Sequence, residues 1–287
     1  MSRAAAAALF ALLAFAANSI LCRMALRAAH IDPASFTTVR ILAGALTLWL
    51  LVRAAGRGAR PAGGSWASAL VLLAYAIFFS FAYVALTAGT GALLLFGAVQ
   101  VVMIAVGFFG GERINRIIAL GWLLAVAGLV LLLLPGVNAP PPLQAAFMLI
   151  AGIAWGLYSL HGRSSTDALG DTAGNLVRAV PGTLVISLLF FTHRSADPLG
   201  ILLAALSGAI ASGLGYAAWY TALPRLGAIA AANAQLSVPV IAALAGVVLF
   251  AEPITARLAL ASVLVLGGTA LAVRRNLTVR AARGAGV

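Results

Sequence analysis

The hexapeptide VRILAG at residues 39–44 returns 138 residues later as VRAVPG at residues 177–182. Three further matches keep nearly the same spacing: Tyr83-Val84-Ala85-Leu86 with Tyr220-Thr221-Ala222-Leu223, Glu112-Arg113-Ile114 with Glu252-Pro253-Ile254, and Ser19 and Arg23 with Ser159 and Arg163. Four matches in chain order, at spacings of 137 to 140 residues, are hard to obtain by chance even in an apolar sequence. The pattern therefore predicts two copies of one unit, residues 1–138 and 139–287.

The composition places both copies in lipid. Hydrophobic residues make up 63% of the 287 residues and charged residues 8%, whereas a soluble domain carries about 25% charged residues to keep its surface wetted. All 18 basic residues are arginines scattered along the chain, which is typical of loops that flank membrane spans. We therefore expect the lipid bilayer as surroundings and no nucleic acid as a partner.

Apolar runs of about 20 residues, each long enough to cross a hydrocarbon core of about 30 Å as a helix, recur along the chain. Ten spans are predicted: 4–26, 33–52, 66–87, 91–110, 115–134, 142–161, 170–191, 199–221, 227–250 and 254–273. The first run is longer than the apolar part of a signal peptide and indicates a retained helix. With a cytoplasmic N-terminus, twelve loop arginines lie inside and four outside, so both termini are predicted to be cytoplasmic in a bacterial inner membrane.

Each predicted copy holds five spans, and an odd number means that the second copy enters the membrane from the opposite side. The predicted fold is an all-α membrane protein of ten transmembrane helices, arranged as two inverted five-helix repeats around a central cavity. Many secondary carriers are built in this way and bind their substrate near the midplane between the repeats. The proline-rich stretch from Pro135 to Pro142 joins the two copies.

The duplication, the Val-Arg pair in spans 2 and 7, and the glutamates Glu112 and Glu252 after spans 4 and 9 resemble the drug/metabolite transporter superfamily, specifically its ten-helix EamA-type carriers. The resemblance covers essentially the whole chain and is closest to bacterial exporters of aromatic amino acids. It implies a helical fold with a central cavity, and export of aromatic and other neutral amino acids by alternating access. The motifs are specific for the superfamily and less so for the substrate, so export of drugs or other metabolites by the same fold stays open.

Two equivalent spans each present an aromatic face. Span 3 carries Tyr75, Phe79 and Tyr83 at four-residue spacing, and span 8 carries Tyr216, Trp219 and Tyr220. Such rings can sandwich an aromatic or aliphatic side chain and hydrogen-bond its polar end. Because Tyr and Trp are also enriched at membrane interfaces, Tyr83 and Tyr220 near helix ends are equally compatible with interfacial anchors.

Polar and aromatic side chains also lie deep in other spans. Trp155 and Tyr158 lie mid-span on span 6, Phe96 and Gln100 on span 4, and Asn18 on span 1. A Trp at this depth needs a partner for its N–H, which favours a position on the cavity wall. The amide groups either bind substrate or form hydrogen bonds between helices.

Arg40 and Arg178 are the two arginines within predicted spans. Intramembrane charges are expensive and usually face the bundle interior or a water-filled cavity. Four roles are open for these two arginines. They could bind a carboxylate, hold a gate closed, cap helix carbonyls, or extend to the nearer membrane interface. Their matched positions in the two copies favour a gating or structural role.

Four further residues are predicted to shape the helices. Glu112 and Glu252 are read as caps or ion-pair partners at helix junctions. Pro181 and Pro239 fall within spans 7 and 9, are expected to kink them, and are proposed as hinges. The six carboxylates all lie in loops or at predicted helix ends, which favours facilitated diffusion or exchange over a relay of intramembrane acids.

Cofactors and metals are not expected. The chain has one cysteine and three separated histidines, so no cluster has metal-ligand spacing. Ser212 and His161 could be imagined as a nucleophile and its base, but no recognisable catalytic motif surrounds them. The sequence therefore predicts a non-enzymatic carrier of small molecules, compatible with a monomer.

Overall fold

The computed structural model describes residues 3–56, 63–109, 116–162, 165–219, 221–222 and 234–284, which are helical almost throughout. In chain order the helices are α1 Arg3–Arg27, α2 Pro33–Ala54, α3 Trp66–Tyr83, α4 Ala88–Phe109, α5 Arg116–Leu133, α6 Pro142–Gly162, α7 Ala168–Leu189, α8 Pro198–Trp219, α9 Ser237–Phe250 and α10 Ala256–Gly284. The first eight are long and apolar enough to span a membrane, and α9 and the apolar part of α10, Ala256–Leu271, are shorter. The ten-helix membrane fold is thereby confirmed.

Several helix boundaries differ from the predicted spans. α3 ends at Tyr83, whereas span 3 was predicted to continue to residue 87. α4 begins at Ala88, three residues before the predicted start of span 4 at residue 91. The carboxylate of Glu252 accepts a hydrogen bond from the Ala88 N–H at 2.8 Å, which satisfies one of the free amides at the start of α4. Residues 227–233 of predicted span 9 lie outside the described residues, and α10 continues well past the predicted end at 273.

Acidic and hydroxyl side chains determine where helices begin. Asp32 accepts from the amides of Ala34 and Ser35, Asp197 from Gly200, Asp167 from Gly170, and Ser65 from Ser68. Each side-chain oxygen satisfies an amide that has no partner within its own helix. Proline follows Asp32 and Asp197 as the first helical residue, where its missing N–H costs nothing.

The burial pattern of α2 is the one expected in lipid. Leu46 and Leu50 are more than half exposed, whereas Arg40 on the same helix is 1% exposed. Large apolar side chains on other helices, such as Leu188 and Val248, are also strongly exposed. The bundle therefore presents apolar groups outward and keeps polar groups inside, in agreement with a surrounding bilayer.

Helix packing comes in matched pairs. α2 packs on α7, α4 on α9 and α5 on α10. The contacts of α3 with α6, α4 with α6 and α3 with α7 have counterparts in those of α8 with α1, α9 with α1 and α8 with α2. Each of these counterparts is obtained by shifting both helix numbers by five.

Glycines allow the closest crossings. A Cβ on Gly208 would collide with the Arg40 carbonyl, and a Cβ on Gly152 would lie 2.6 Å from the Leu95 carbonyl. The backbones of α8 and α2, and of α6 and α4, approach because these residues lack side chains.

Residues Ser207–Leu214 of α8 form a π-helical segment. Such segments often occur at functional sites. Here the wider turn carries Ser207 and Ser212, both buried and both bonded to side chains of other helices.

The two candidate hinge prolines lie in different settings. α7 continues through Pro181, whereas the helix is interrupted at Leu236 and restarts as α9 at Ser237, two residues before Pro239. Proline 239 lacks the N–H that would bond to the carbonyl of Gln235, so the break coincides with the missing hydrogen bond.

Candidate functional site

The centre of the bundle holds a cavity of only about 10 Å³. Its wall consists of apolar and aromatic rings with two polar groups of α1: Phe15, Asn18, Ser19, Tyr75, Phe79, Leu95, Phe96, Trp155 and Tyr216. This volume is about that of one water molecule. In this conformation the centre is therefore closed on itself, and a larger molecule enters only when the rings move apart.

Trp155 is the hub of the aromatic cluster. Its ring centroid lies 4.9 Å from Tyr75, 5.0 Å from Tyr216, 5.7 Å from Tyr158 and 6.0 Å from Phe15. The rings are tilted or edge-on, which are the arrangements that aromatic pairs prefer. The cluster thus joins α1, α3, α6 and α8, two helices from each half.

Phe15 extends the cluster to a second face. It packs 6.0 Å from Tyr216 and 5.7 Å from Trp219. Trp219 is 3% exposed and lies behind Phe15 without lining the central cavity.

A polar network lies beside the rings. Arg40 donates from Nη2 to the Tyr75 hydroxyl at 3.0 Å and from Nε to Ser212 Oγ at 3.2 Å. Asn18 donates to the same Tyr75 hydroxyl at 3.2 Å and accepts from Ser207 at 2.6 Å. The guanidinium also lies over the ring of Tyr75 and, at 4.9 Å from its centroid, over that of Phe79.

Buried donors near the centre lack partners. Arg40 Nη1, Gln100 Nε2 and Trp155 Nε1 are buried with no hydrogen-bond acceptor in the described residues. A buried donor without an acceptor is costly, and native proteins usually supply a partner. These three N–H groups are donors that a polar group entering the centre could bind.

One end of the bundle is sealed by an ion pair. Arg23 Nε bonds Glu252 Oε1 at 3.0 Å, with both side chains at most 10% exposed. Arg23 Nη1 also donates to the carbonyls of Tyr83 and Val84, and Glu252 accepts from Ala88. The pair thereby ties α1, the α3–α4 turn and the α9–α10 turn together above the central cavity. We call this region, formed by Arg23, Glu252 and the α1–α2 and α7–α8 loops, the sealed end.

The two long loops at the sealed end also bind each other. The Asp32 carboxylate accepts from the Ser195 amide, and Asp32 N donates to the Ser195 carbonyl at 2.8 Å. His30 Nδ1 lies 2.6 Å from the Asp197 carboxylate. The Gly200 N–H and then His30 hold the pKa of the Asp197 carboxyl below its usual value.

The opposite end holds a polar cavity of about 320 Å³, which we call the vestibule. It is lined by Gly64, Ser65, Ser68, Tyr158, His161, Gly162, Ser165, Thr166, Asp171, Thr172 and Asn175. Tyr158 contributes to both regions, since its ring packs on Trp155 and its hydroxyl accepts from Asn175 at 3.4 Å. A solute in the vestibule would therefore lie one aromatic layer away from the centre.

The structure brings together most of the predicted site residues. Asn18, Tyr75, Phe79, Phe96, Trp155 and Tyr216 line the central cavity, and Tyr158 separates it from the vestibule. Tyr83 is fully buried against Phe79, and its hydroxyl donates to the Ala88 carbonyl at 3.4 Å, so it lies beneath the sealed end. Gln100 is buried one turn beyond the cavity wall. Tyr220 and Glu112 lie outside the described residues.

The two intramembrane arginines have different surroundings. Arg40 is in the central network, whereas Arg178 is half-buried and donates from Nη1 to the Gly63 carbonyl at 2.6 Å near the vestibule. Arg178 thus holds the segment before α3 against α7 and does not reach the centre.

Sequence reasoning missed several residues of the site. Phe15 lies on the same face of α1 as Asn18, three residues earlier, and that spacing alone could have indicated it. Ser207 carried no recognisable signal, and Ser212 was considered only as a possible nucleophile and not as a partner of Arg40. Arg23 and Glu252 each appeared in the repeat, but nothing in the sequence joined one to the other.

Comparison with known proteins agrees with this architecture. Residues 143–274, which span α6 to α10, match the EamA-like transporter family. An uncharacterized protein of Pseudomonas aeruginosa is 52% identical over 275 residues, covering 96% of both chains. An uncharacterized transporter of Archaeoglobus fulgidus is 28% identical over 207 residues, covering 70% of this chain and 74% of that one.

A solved crystal structure has a similar fold, with a TM-score of 0.64 at 19% identity, covering 93% of this chain and 97% of the other. The helical architecture, the family match and the transporter relative agree with one another. Residues 143–274 of this chain are therefore similar to the EamA-like transporter family.

Proposed function

We propose that this protein exports aromatic and other neutral amino acids across the bacterial inner membrane by alternating access, as a facilitated diffusion carrier or an exchanger. Both termini lie in the cytoplasm in this proposal. Residues 1–138 and 139–287 form the two inverted repeats, and the vestibule faces the cytoplasm.

The observation that carries the proposal is the aromatic cluster around Trp155, closed over a cavity whose wall also holds Asn18 and the Tyr75 hydroxyl. When the rings separate, their faces can stack on an aromatic side chain and the amide and hydroxyl can bind its polar end. Trp155 Nε1 has no acceptor in the closed state and would gain one from a bound solute.

Alternating access is supported by the contrast between the two ends. The sealed end is closed by the buried Arg23–Glu252 pair, while the vestibule reaches Tyr158 beside the centre. The shared helix contacts of the two halves fit an inverted duplication, because exchanging the conformations of the halves would open the other end. The family match to residues 143–274, the second half alone, agrees with each half being one unit.

Two rivals are distinguishable. A carrier of drugs or other metabolites with the same fold would use the same cavity, so only the substrate separates it from the proposal. An intramembrane hydrolase needs a nucleophile beside a base, yet Ser212 accepts a hydrogen bond from Arg40 while His161 contacts Ser68 in the vestibule.

The decisive experiment is counterflow of labelled phenylalanine into liposomes that contain the purified protein. We expect saturable uptake that competes with unlabelled Trp, Thr and Met and does not require a proton gradient. Trp155→Ala should reduce this uptake by about tenfold or more, since removing a large aromatic from a packed centre costs several kcal/mol. Trp66→Ala, which removes an exposed tryptophan at the start of α3, is the matched control and should transport normally.

Uptake of a cationic drug in place of amino acids would identify the rival carrier. Equal activity of the Trp155 and Trp66 variants would contradict the assignment of the substrate site to the central cluster.

A further inference from the structure

Arg40 differs from the other buried cation of the bundle in its lack of a counter-charge. Arg23 faces the carboxylate of Glu252 at 3.0 Å. Arg40 is 1% exposed, and among the described residues no carboxylate lies within ion-pair distance of its guanidinium. A buried charge without an opposite charge is strongly unfavourable, so a function must maintain it at this position.

The partners of Arg40 leave part of its hydrogen-bonding capacity free. Tyr75 and Ser212 accept from Nη2 and Nε, and both are neutral hydroxyl groups. Nη1 is buried with no acceptor. A planar guanidinium with an open N–H edge is the group that proteins use most often to bind a carboxylate.

The charge is one hydrogen bond from the cavity wall. Tyr75 lines the central cavity, and its hydroxyl accepts from both Arg40 and Asn18. An anion that enters between the rings would meet the Tyr75 hydroxyl and the Asn18 amide, with the positive charge of Arg40 directly behind them.

No comparable feature exists for a positive group. The described wall of the central cavity contains Asn18 and Ser19 as its non-aromatic polar residues and has no Asp or Glu. Aromatic faces tolerate an ammonium group through cation–π contact, but they do not require one.

We propose that Arg40, acting with Tyr75 and Asn18, is the carboxylate receptor of the central site, and that the site requires the carboxylate of its substrate but not the ammonium. This inference rests on the proposed function for the location of the site and adds what the site recognises. It predicts that aromatic carboxylates without an amino group are ligands, whereas aromatic amines without a carboxylate are not.

Three probes with the same phenylethyl skeleton test it: L-phenylalanine, 3-phenylpropionate, which lacks the ammonium, and phenethylamine, which lacks the carboxylate. Binding to the purified wild-type protein in detergent is measured by the shift in unfolding temperature over a concentration series, so that neither transport nor leakage through lipid affects the result. We expect phenylpropionate to bind about as well as phenylalanine, and phenethylamine about tenfold more weakly or worse, as loss of a charge-assisted hydrogen bond implies.

Variants then assign the preference to Arg40. Arg40→Gln should abolish the advantage of both carboxylate probes over phenethylamine, and Arg40→Lys should retain part of it, because the charge remains while the planar geometry is lost. Arg53→Gln, at an exposed arginine on the same helix, is the matched control and should leave all three affinities unchanged. If the Arg40 variants do not fold, the wild-type probe series still decides whether the site requires the carboxylate of its ligand.

The outcomes separate the two proposals. Binding of phenylpropionate that depends on Arg40, without transport of any amino acid, would refute the proposed function and retain the carboxylate receptor. Phenethylamine binding as tightly as phenylalanine, or no binding of either carboxylate probe, would overturn the receptor, and so would an unchanged probe preference in Arg40→Gln.

Discussion

The sealed end and the vestibule are both built from polar and charged residues, but the first is closed and the second holds a cavity. At the sealed end, Arg23 and Glu252 form an ion pair. Their remaining hydrogen-bonding groups bind backbone atoms at helix ends, Arg23 a carbonyl oxygen and Glu252 an amide. At the vestibule, polar groups such as Ser68, His161 and Asn175 surround a space of about 320 Å³. The sealed end is held together by direct contacts, the Arg23–Glu252 pair and the Asp32–Ser195 and His30–Asp197 loop contacts, whereas the polar groups of the vestibule surround open space.

The sealed end also links elements that are far apart in the sequence. The sealed end joins α1 to the α9–α10 turn, one element from each half, through a pair 229 residues apart in sequence. Separation of that pair would free the α3–α4 turn and the α1 end together. Among the described residues, the two salt bridges both lie at the sealed end and none lies at the vestibule.

The largest effect is expected from breaking the Arg23–Glu252 pair. Glu252→Gln or Arg23→Gln leaves one buried charge unpaired and should destabilise the protein by about 3–5 kcal/mol, measured by denaturant unfolding in detergent. Cys22, the single cysteine, is fully buried next to Arg23 and should react faster with a water-soluble maleimide in these variants. The double variant Arg23→Leu/Glu252→Leu removes both charges and should recover most of the stability. If the single variants keep the wild-type labelling rate and stability, the ion pair does not close this end.

A smaller effect is expected from pushing the loops of the sealed end apart. A Cβ on Gly200, at the start of α8, would collide with the His30 carbonyl and the side chain of Ile31. Gly200→Ala should therefore lower the free energy of unfolding by about 1–3 kcal/mol through overpacking. Gly267→Ala, on α10, is the matched control because a Cβ there has nothing within 4 Å; equal stability of the two variants would show that this loop contact is not tight.

On the vestibule side, Arg178→Gln removes the hydrogen bond to the Gly63 carbonyl. The expected loss is about 0.5–1.5 kcal/mol, as for an ordinary hydrogen bond of a half-buried group. Amide hydrogen exchange should accelerate at Gly64 and Ser65, whose N–H groups bond Asp171 and Asn175 on α7. Exchange at the wild-type rate would mean that Arg178 does not hold this segment.

The smallest effect is expected at Asp197, whose side chain is 46% exposed. Its pKa is lowered in the folded state by the Gly200 N–H and by His30, so its contribution to stability is present above the ordinary aspartate value of 3.8 and is lost as the pH falls through the folded value. The difference in unfolding temperature between the wild type and Asp197→Asn should therefore shrink as the pH drops below that value. A difference that grows on acidification would contradict this sign.

Several helix boundaries and one helix face could be predicted from the sequence. The ten spans follow from apolar runs whose length matches the bilayer, and Asp32-Pro33 and Asp197-Pro198 mark helix starts by local chemistry. The face shared by Tyr75 and Phe79 follows from four-residue spacing. The position of Trp155 between Tyr75 and Tyr216 could not be predicted from the sequence, because the three rings come from α6, α3 and α8.

Arg40 and Arg178 show the same limit. Their matched positions in the two copies suggested equal roles, yet one is buried beside Tyr75 and the other binds a backbone carbonyl near the vestibule. Position within a repeat is a local property, whereas the partners of a side chain depend on which helices cross there.

The sequence by itself determined that the chain is a membrane protein of ten helices, because hydrophobic length is a property of neighbours along the chain. Only the tertiary structure decided which charge is neutralised, which end is closed and which rings meet at the centre. Those outcomes depend on contacts of a few ångströms between residues far apart in sequence, and such contacts are set by how the helices pack against each other.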